Sequence, residues 1–146
     1  MTRTETELRL ERHFDAPAAR VFEAWTSPEV LRRWWAAGPD WDCPEAEVDL
    51  RVGGRYRLAM RNPEGETRVV AGEYTAVAPP ERLAYTWAWE GGEMGETLVT
   101  VEFRPDGDGT HVVLTHSGFP DEREREMHGH GWAGCLDNLA ARVLEA

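Results

Sequence analysis

Hydrophobic residues first recur at every second position: Leu8, Leu10 and Phe14, with Arg12 in the same phase, alternate with Glu7, Arg9, Glu11 and His13. Period two with one apolar phase predicts a half-buried strand. The pattern then changes. Asp15 is placed to cap a helix that has Pro17 in its first turn, where a missing N–H costs nothing, and Val21, Phe22 and Trp25 give that helix an apolar face. Ser27-Pro28 starts a second short helix with Val30, Leu31, Trp34 and Trp35 to bury. From about residue 45 the alternation returns through Ala46, Val48 and Leu50, turns at Gly53-Gly54 as a two-residue hairpin, and resumes with Tyr56, Leu58 and Met60. Asn62-Pro63-Glu64-Gly65 makes the next turn, and residues 66–77 form a longer strand ending at Pro79-Pro80. Leu83, Tyr85, Trp87 and Trp89 run into Glu90-Gly91-Gly92; Thr97, Val99, Val101 and Phe103 run to a turn at 106–109; Val112, Leu114 and His116 complete the series. Six strands in hairpin order form an antiparallel meander, and the first strand completes a seven-stranded sheet. Pro120-Asp121 opens the last element, with Asp121 and Glu124 spaced as a capping box. A helix from there to about Glu145 is roughly 36 Å long at ~1.5 Å per residue, enough to span the sheet.

The stretch Gly129-His130-Gly131-Trp132-Ala133-Gly134 fits the glycine pattern of a dinucleotide-binding turn, but it lies inside a helix already under way at Asp121. Its amides are spent on helical hydrogen bonds and cannot face a phosphate. Nor does it hold a metal. Side chains turn by about 100° per residue, which puts His128 within about 40° of Trp132, on the face of Cys135, Leu136, Leu139 and Val143, and His130 about 160° away from Trp132, beside Asp137. No metal site and no cofactor are expected. Gly129 and Gly131 flank the inner face, either leaving room beneath the helix or permitting close packing around Trp132; Gly134 is directed to solvent.

Composition narrows the class. With 146 residues, 41% hydrophobic and 29% charged, the chain suits a single domain over 1–146. No apolar run approaches the ~20 residues of a membrane span, and the first residues lack a secretory core, so the expected location is cytoplasmic. Cys43 and Cys135 are expected to be free thiols. A net charge of -11, with arginines scattered instead of forming a stripe, excludes nucleic acid as partner.

The order strand, two helices, antiparallel strands, long helix resembles the START-like (SRPBCC) helix-grip superfamily. RHFDAPAARVFEAWTSPEVLRRWW at 12–35, DLRVGGRYR at 49–57, GEYTAVAPPERLAYTWAW at 72–89, GTHVVLTHSGF at 109–119 and GWAGCLDNLAARVL at 131–144 resemble one branch, the domain named after the activator of heat-shock protein 90 ATPase. The resemblance implies an α+β fold in which a seven-stranded antiparallel sheet wraps a long C-terminal helix. It implies three function classes: binding of an apolar or lipid-like small molecule between sheet and helix, contact with a chaperone, and cyclase or hydrolase chemistry in the same cavity. Binding stands first, for a monomer or homodimer. No catalytic residue is indicated, since neither a nucleophile elbow nor a Cys-His arrangement can be read.

Trp35, Trp41, Trp87, Trp89 and Trp132 fall where such a cavity has its walls; the alternative is that they fill a core. Arg12, His116 and His128 are polar groups on apolar faces, where burial without partners costs about 1–3 kcal/mol each. They complete the candidate site, the alternative for each being a structural pairing.

Overall fold

The computed structural model describes residues 7–144. Strand β1 (Glu7–Phe14) is followed by helices α1 (Ala18–Thr26) and α2 (Pro28–Trp34), then by β2 (Asp42–Val48), β3 (Arg55–Arg61), β4 (Thr67–Ala78), β5 (Arg82–Trp89), β6 (Thr97–Asp106) and β7 (Gly109–Ser117). Helix α3 (Glu122–Leu139) continues into a π-helical turn, Ala140–Leu144. The expected end near Glu145 lies outside the described residues. All pairings are antiparallel, in the order β1-β7-β6-β5-β4-β3-β2. This is the α+β helix-grip architecture. Among the described residues no helix is long and apolar enough to cross a membrane.

The registers align one apolar phase across the whole sheet. Leu10 faces Leu114, Leu114 faces Val101, Val101 faces Leu83, and Tyr85 faces Tyr74. Because successive side chains alternate between faces, these pairings put Phe14, Val112, Val99, Trp87, Val70 and Leu58 on the same side, all buried. Helix α3 buries Trp132, Cys135, Leu136 and Leu139, a stripe at helical spacing. Its N-terminus is capped by Asp121, whose Oδ1 accepts from Glu124 N at 2.9 Å, while the Glu124 carboxylate lies toward His128.

Three local expectations are corrected. Asp15 does not cap α1: Pro17 occupies the cap position without a side-chain bond, and Asp15 lies 3.2 Å from the His13 ring. The fixed φ of proline starts the helix there unaided. Gly53-Gly54 is not a two-residue hairpin turn, because β2 ends at Val48 and leaves residues 49–54 as the connection, with Leu50 exposed. Backbone bonds from Asp49 N to Arg55 O and from Gly54 N to Arg51 O close it, while Gly53 N reaches Tyr74 O and ties the turn to β4. Gly134 is not directed to solvent. A Cβ there would lie 1.9 Å from the Ala37 carbonyl oxygen, so the glycine lets α3 rest on the α2–β2 connection. Asn138 secures the same contact, its amide donating to Ala36 O at 3.0 Å and Gly38 O at 2.9 Å.

Candidate functional site

Between the sheet and α3, from Glu124 to Cys135, lies a cavity of about 280 Å³. Met60 of β3, Arg68 of β4, and Trp87 and Trp89 of β5 form its floor. Glu124, Met127, His128, His130, Gly131, Trp132 and Cys135 of α3 form its roof, and Ala37 and Trp41 close one side. Met127, His130 and Arg68 are exposed and mark its mouth. At Gly131 an added Cβ would meet nothing closer than Ala37 Cβ at 4.0 Å, so this glycine leaves space on the roof.

Hydrogen bonds define the state of both inner histidines. Trp132 Nε1 donates to His116 Nδ1 at 3.1 Å, which leaves His116 Nε2 protonated and donating to Thr97 Oγ1 at 2.7 Å; Thr97 in turn donates to the Trp87 carbonyl at 3.1 Å. Likewise Trp89 Nε1 donates to His128 Nε2 at 2.9 Å, so His128 Nδ1 carries the proton that goes to Glu124 O at 2.8 Å. Both rings are neutral. Burial pushes the His116 pKa down to about 2, with nearby His128 adding to the effect. Burial also lowers that of His128, against a smaller opposing pull from the Glu124 carbonyl and carboxylate. Trp87, 3% exposed, leaves its indole N–H without an acceptor among the described residues.

Of the residues singled out by sequence, Trp41, Trp87, Trp89, His128 and Trp132 meet on the cavity lining. Arg12, Trp35 and His116 lie outside it. Arg12 donates to Asp137 Oδ1 at 2.9 Å, an ion pair between β1 and α3. Trp35 is packed into the core, 6.0 Å from Trp87 between ring centroids, beside a void of only about 10 Å³ shared with Trp25 and the Tyr56, Tyr74 and Tyr85 rings. His116 is fully buried behind Trp132. Sequence reasoning missed Met60 and Arg68, although both continue the inner phase of their strands and face each other in the β3–β4 register. It also missed Glu124 and Met127, one helical turn before His128 and Gly131.

Chemically, the lining is mainly apolar and aromatic. Cys135, the thiol on the lining, is pushed up to about 12 by burial and stays protonated at neutral pH. His128 has both nitrogens engaged. Among the described residues no three His, Cys, Asp or Glu side chains gather to hold a metal ion.

Fold and cavity together define the class, a START-like helix-grip domain. The family model described as Activator of Hsp90 ATPase homolog 1-like protein matches residues 15–143, and the chain belongs to that family. Among solved structures, protein CV1439 from Chromobacterium violaceum is 29% identical and superposes with a TM-score of 0.86, covering 97% of this chain and 99% of that one. The AHSA1 (SPO3351) protein from Silicibacter pomeroyi is 30% identical with a TM-score of 0.81, over 92% and 95% of the two chains. The AHSA1-like protein from Aeromonas hydrophila is 30% identical with a TM-score of 0.75, over 92% and 89%. No curated protein matches the sequence.

Proposed function

We propose that the chain is a small-molecule binding protein whose ligand lays an apolar, flat body in the cavity beneath α3. The observation that carries this reading is the lining itself: four indoles, Trp41, Trp87, Trp89 and Trp132, around about 280 Å³ with a mouth to solvent. A predominantly aromatic wall with a few placed polar groups is the usual make-up of such sites. Its volume equals that of about nine waters at ~30 Å³ each, which sets the scale of one or two fused rings. Four lining tryptophans make intrinsic fluorescence the direct assay. Ligands from a panel of aromatic acids, polyketides and short lipids are expected to shift the emission, and at about 100 times Kd to add about 2.7 kcal/mol of stability in a melt. A panel that moves neither signal overturns the reading.

The family's description favours a second reading, contact with a heat-shock-protein-90 chaperone. With a net charge of -11, such a contact would be made by acidic surface and would weaken as salt screens it. The test is ATP turnover by that chaperone with and without this protein, at low and physiological salt. Stimulation persisting at high salt puts the chaperone reading first.

A further inference from the structure

We propose that the cavity selects for charge as well as shape, and that its ligand is a carboxylate carried on an apolar ring body, received by Arg68 at the mouth. The inference rests on the small-molecule reading above.

Arg68 sits on β4 in the inner phase, opposite Met60, at the edge of the lining. Its guanidinium carbon lies 4.4 Å from the centroid of the Trp89 ring, a cation–π contact that holds the planar group over the cavity floor. Two arginines on the adjacent strand are neutralised. Arg57 pairs with Glu45 at 2.7 Å and with Glu90 at 2.9 Å, and Arg61 pairs with Asp42. Arg68 has no carboxylate partner within ion-pair distance among the described residues. In an acidic protein, a cation held over an indole beside an apolar cavity, with no carboxylate claiming its donors among the described residues, presents the fork that a carboxylate fits in bidentate geometry.

The other polar groups at the mouth agree with this placement. His128 is neutral with both nitrogens engaged, and Arg68 itself adds to the lowering of its pKa. His130 stands exposed on the rim. Glu124 is the one acidic group on the lining. It belongs to the first turn of α3, where the helix dipole favours its charge, and its carboxylate lies 3.9 Å from His128 Nδ1. Its negative charge repels an anion from the helix side and leaves the Arg68 side as the place for the carboxylate. The rival chemistry is an amine held by Glu124, which the charge of Arg68 opposes.

Three probes of one shape separate these cases: 2-naphthylacetate, 2-naphthylacetamide and 2-(2-naphthyl)ethylamine. Binding is measured by calorimetry on the full chain and on the R68Q and R68K variants, with melting temperature as the check on folding. The acid is expected to bind about tenfold more tightly than the amide, with a preference that shrinks as salt is raised. Arg68→Gln is expected to abolish the acid-over-amide preference, and Arg68→Lys to retain part of it. Equal binding of acid and amide, tightest binding of the amine, or a preference that survives in Arg68→Gln overturns the proposal and leaves the small-molecule reading standing. Failure of all three probes to bind overturns both.

Discussion

His116 is the most informative residue to perturb, because it is fully buried, neutral and wired to two other side chains. Folding takes its pKa from 6.5 down to about 2. Between those values the unfolded chain takes up a proton that the folded chain refuses, so stability is present above about pH 6.5 and is lost as the pH falls through the window. Each unit of this window costs up to about 1.4 kcal/mol, so acidification from about pH 7 to about pH 4.5 removes about 2.5 kcal/mol through this one group. Surface carboxylates held below their usual range, such as Asp42 beside Arg61 and Glu90 beside Arg57, add acid-labile stability of their own. The comparison must therefore be internal. In His116→Gln the amide can accept from Trp132 and donate to Thr97, and it does not titrate. Urea unfolding of both proteins at the two pH values is expected to show the wild type losing about 2.5 kcal/mol more than the variant. Equal losses would refute the argument that a neutral, buried His116 carries the acid sensitivity.

The glycines of α3 make a sharper structural test. Gly134→Ala forces a Cβ against the Ala37 carbonyl and is expected to destabilise by about 2–4 kcal/mol, whereas Gly131→Ala has open space and is expected to gain up to about 1 kcal/mol of helix propensity while reducing cavity volume; equal melting shifts for the two would contradict the packing described. The thiols of Cys43 and Cys135, pushed up by burial to about 11 and about 12, are expected to stay unreactive to an aromatic disulfide reagent near pH 8 until denaturant is added. Labelling of the folded protein at the rate of a free thiol would count against that burial.

Most of the sheet was legible because one buried face imposes period two, and the alternation from Tyr56 to His116 has few interruptions. Caps and turns were less so. Asp15 and Gly53-Gly54 have local chemistry suited to roles that backbone bonds elsewhere make unnecessary: proline sets the first turn of α1, and Tyr74 of β4 holds the long turn after Val48. The candidate site split along the same line. Trp41, Trp87, Trp89, His128 and Trp132 meet at the cavity, but Trp35, at the end of α2, is drawn into the core beside Trp87 instead. Arg12 and His116 were noticed as polar residues on apolar faces, and each has a structural partner, Asp137 or Trp132, more than ten residues away in sequence. Arg68 went unnoticed for the opposite reason: an arginine at the start of a strand next to a turn reads as solvent-facing, and only the Trp89 ring across the ladder places it at the cavity.

The glycine-rich stretch that mimics a nucleotide motif separates into distinct roles, and these explain why the cavity opens toward the N-terminal end of α3. Gly134 presses the helix onto the backbone of Ala37, Asn138 bonds the same connection, and Arg20 and Arg33 donate to the carbonyls of Val143 and Arg142. The C-terminal half and the π-helical turn after it are thereby clamped to α1, α2 and the α2–β2 connection. Toward the N-terminus, Gly129 brings the helix to within contact of Leu8, while Gly131 offers no side chain to the space above Trp89 and Trp87. A helix with alanine at all three positions would be stabler by propensity, each glycine costing up to about 1 kcal/mol. It would also lose its seat on Ala37 and narrow the cavity roof. The departure from good helix-forming sequence therefore falls where the helix must approach backbone at one point and stand off the sheet at another.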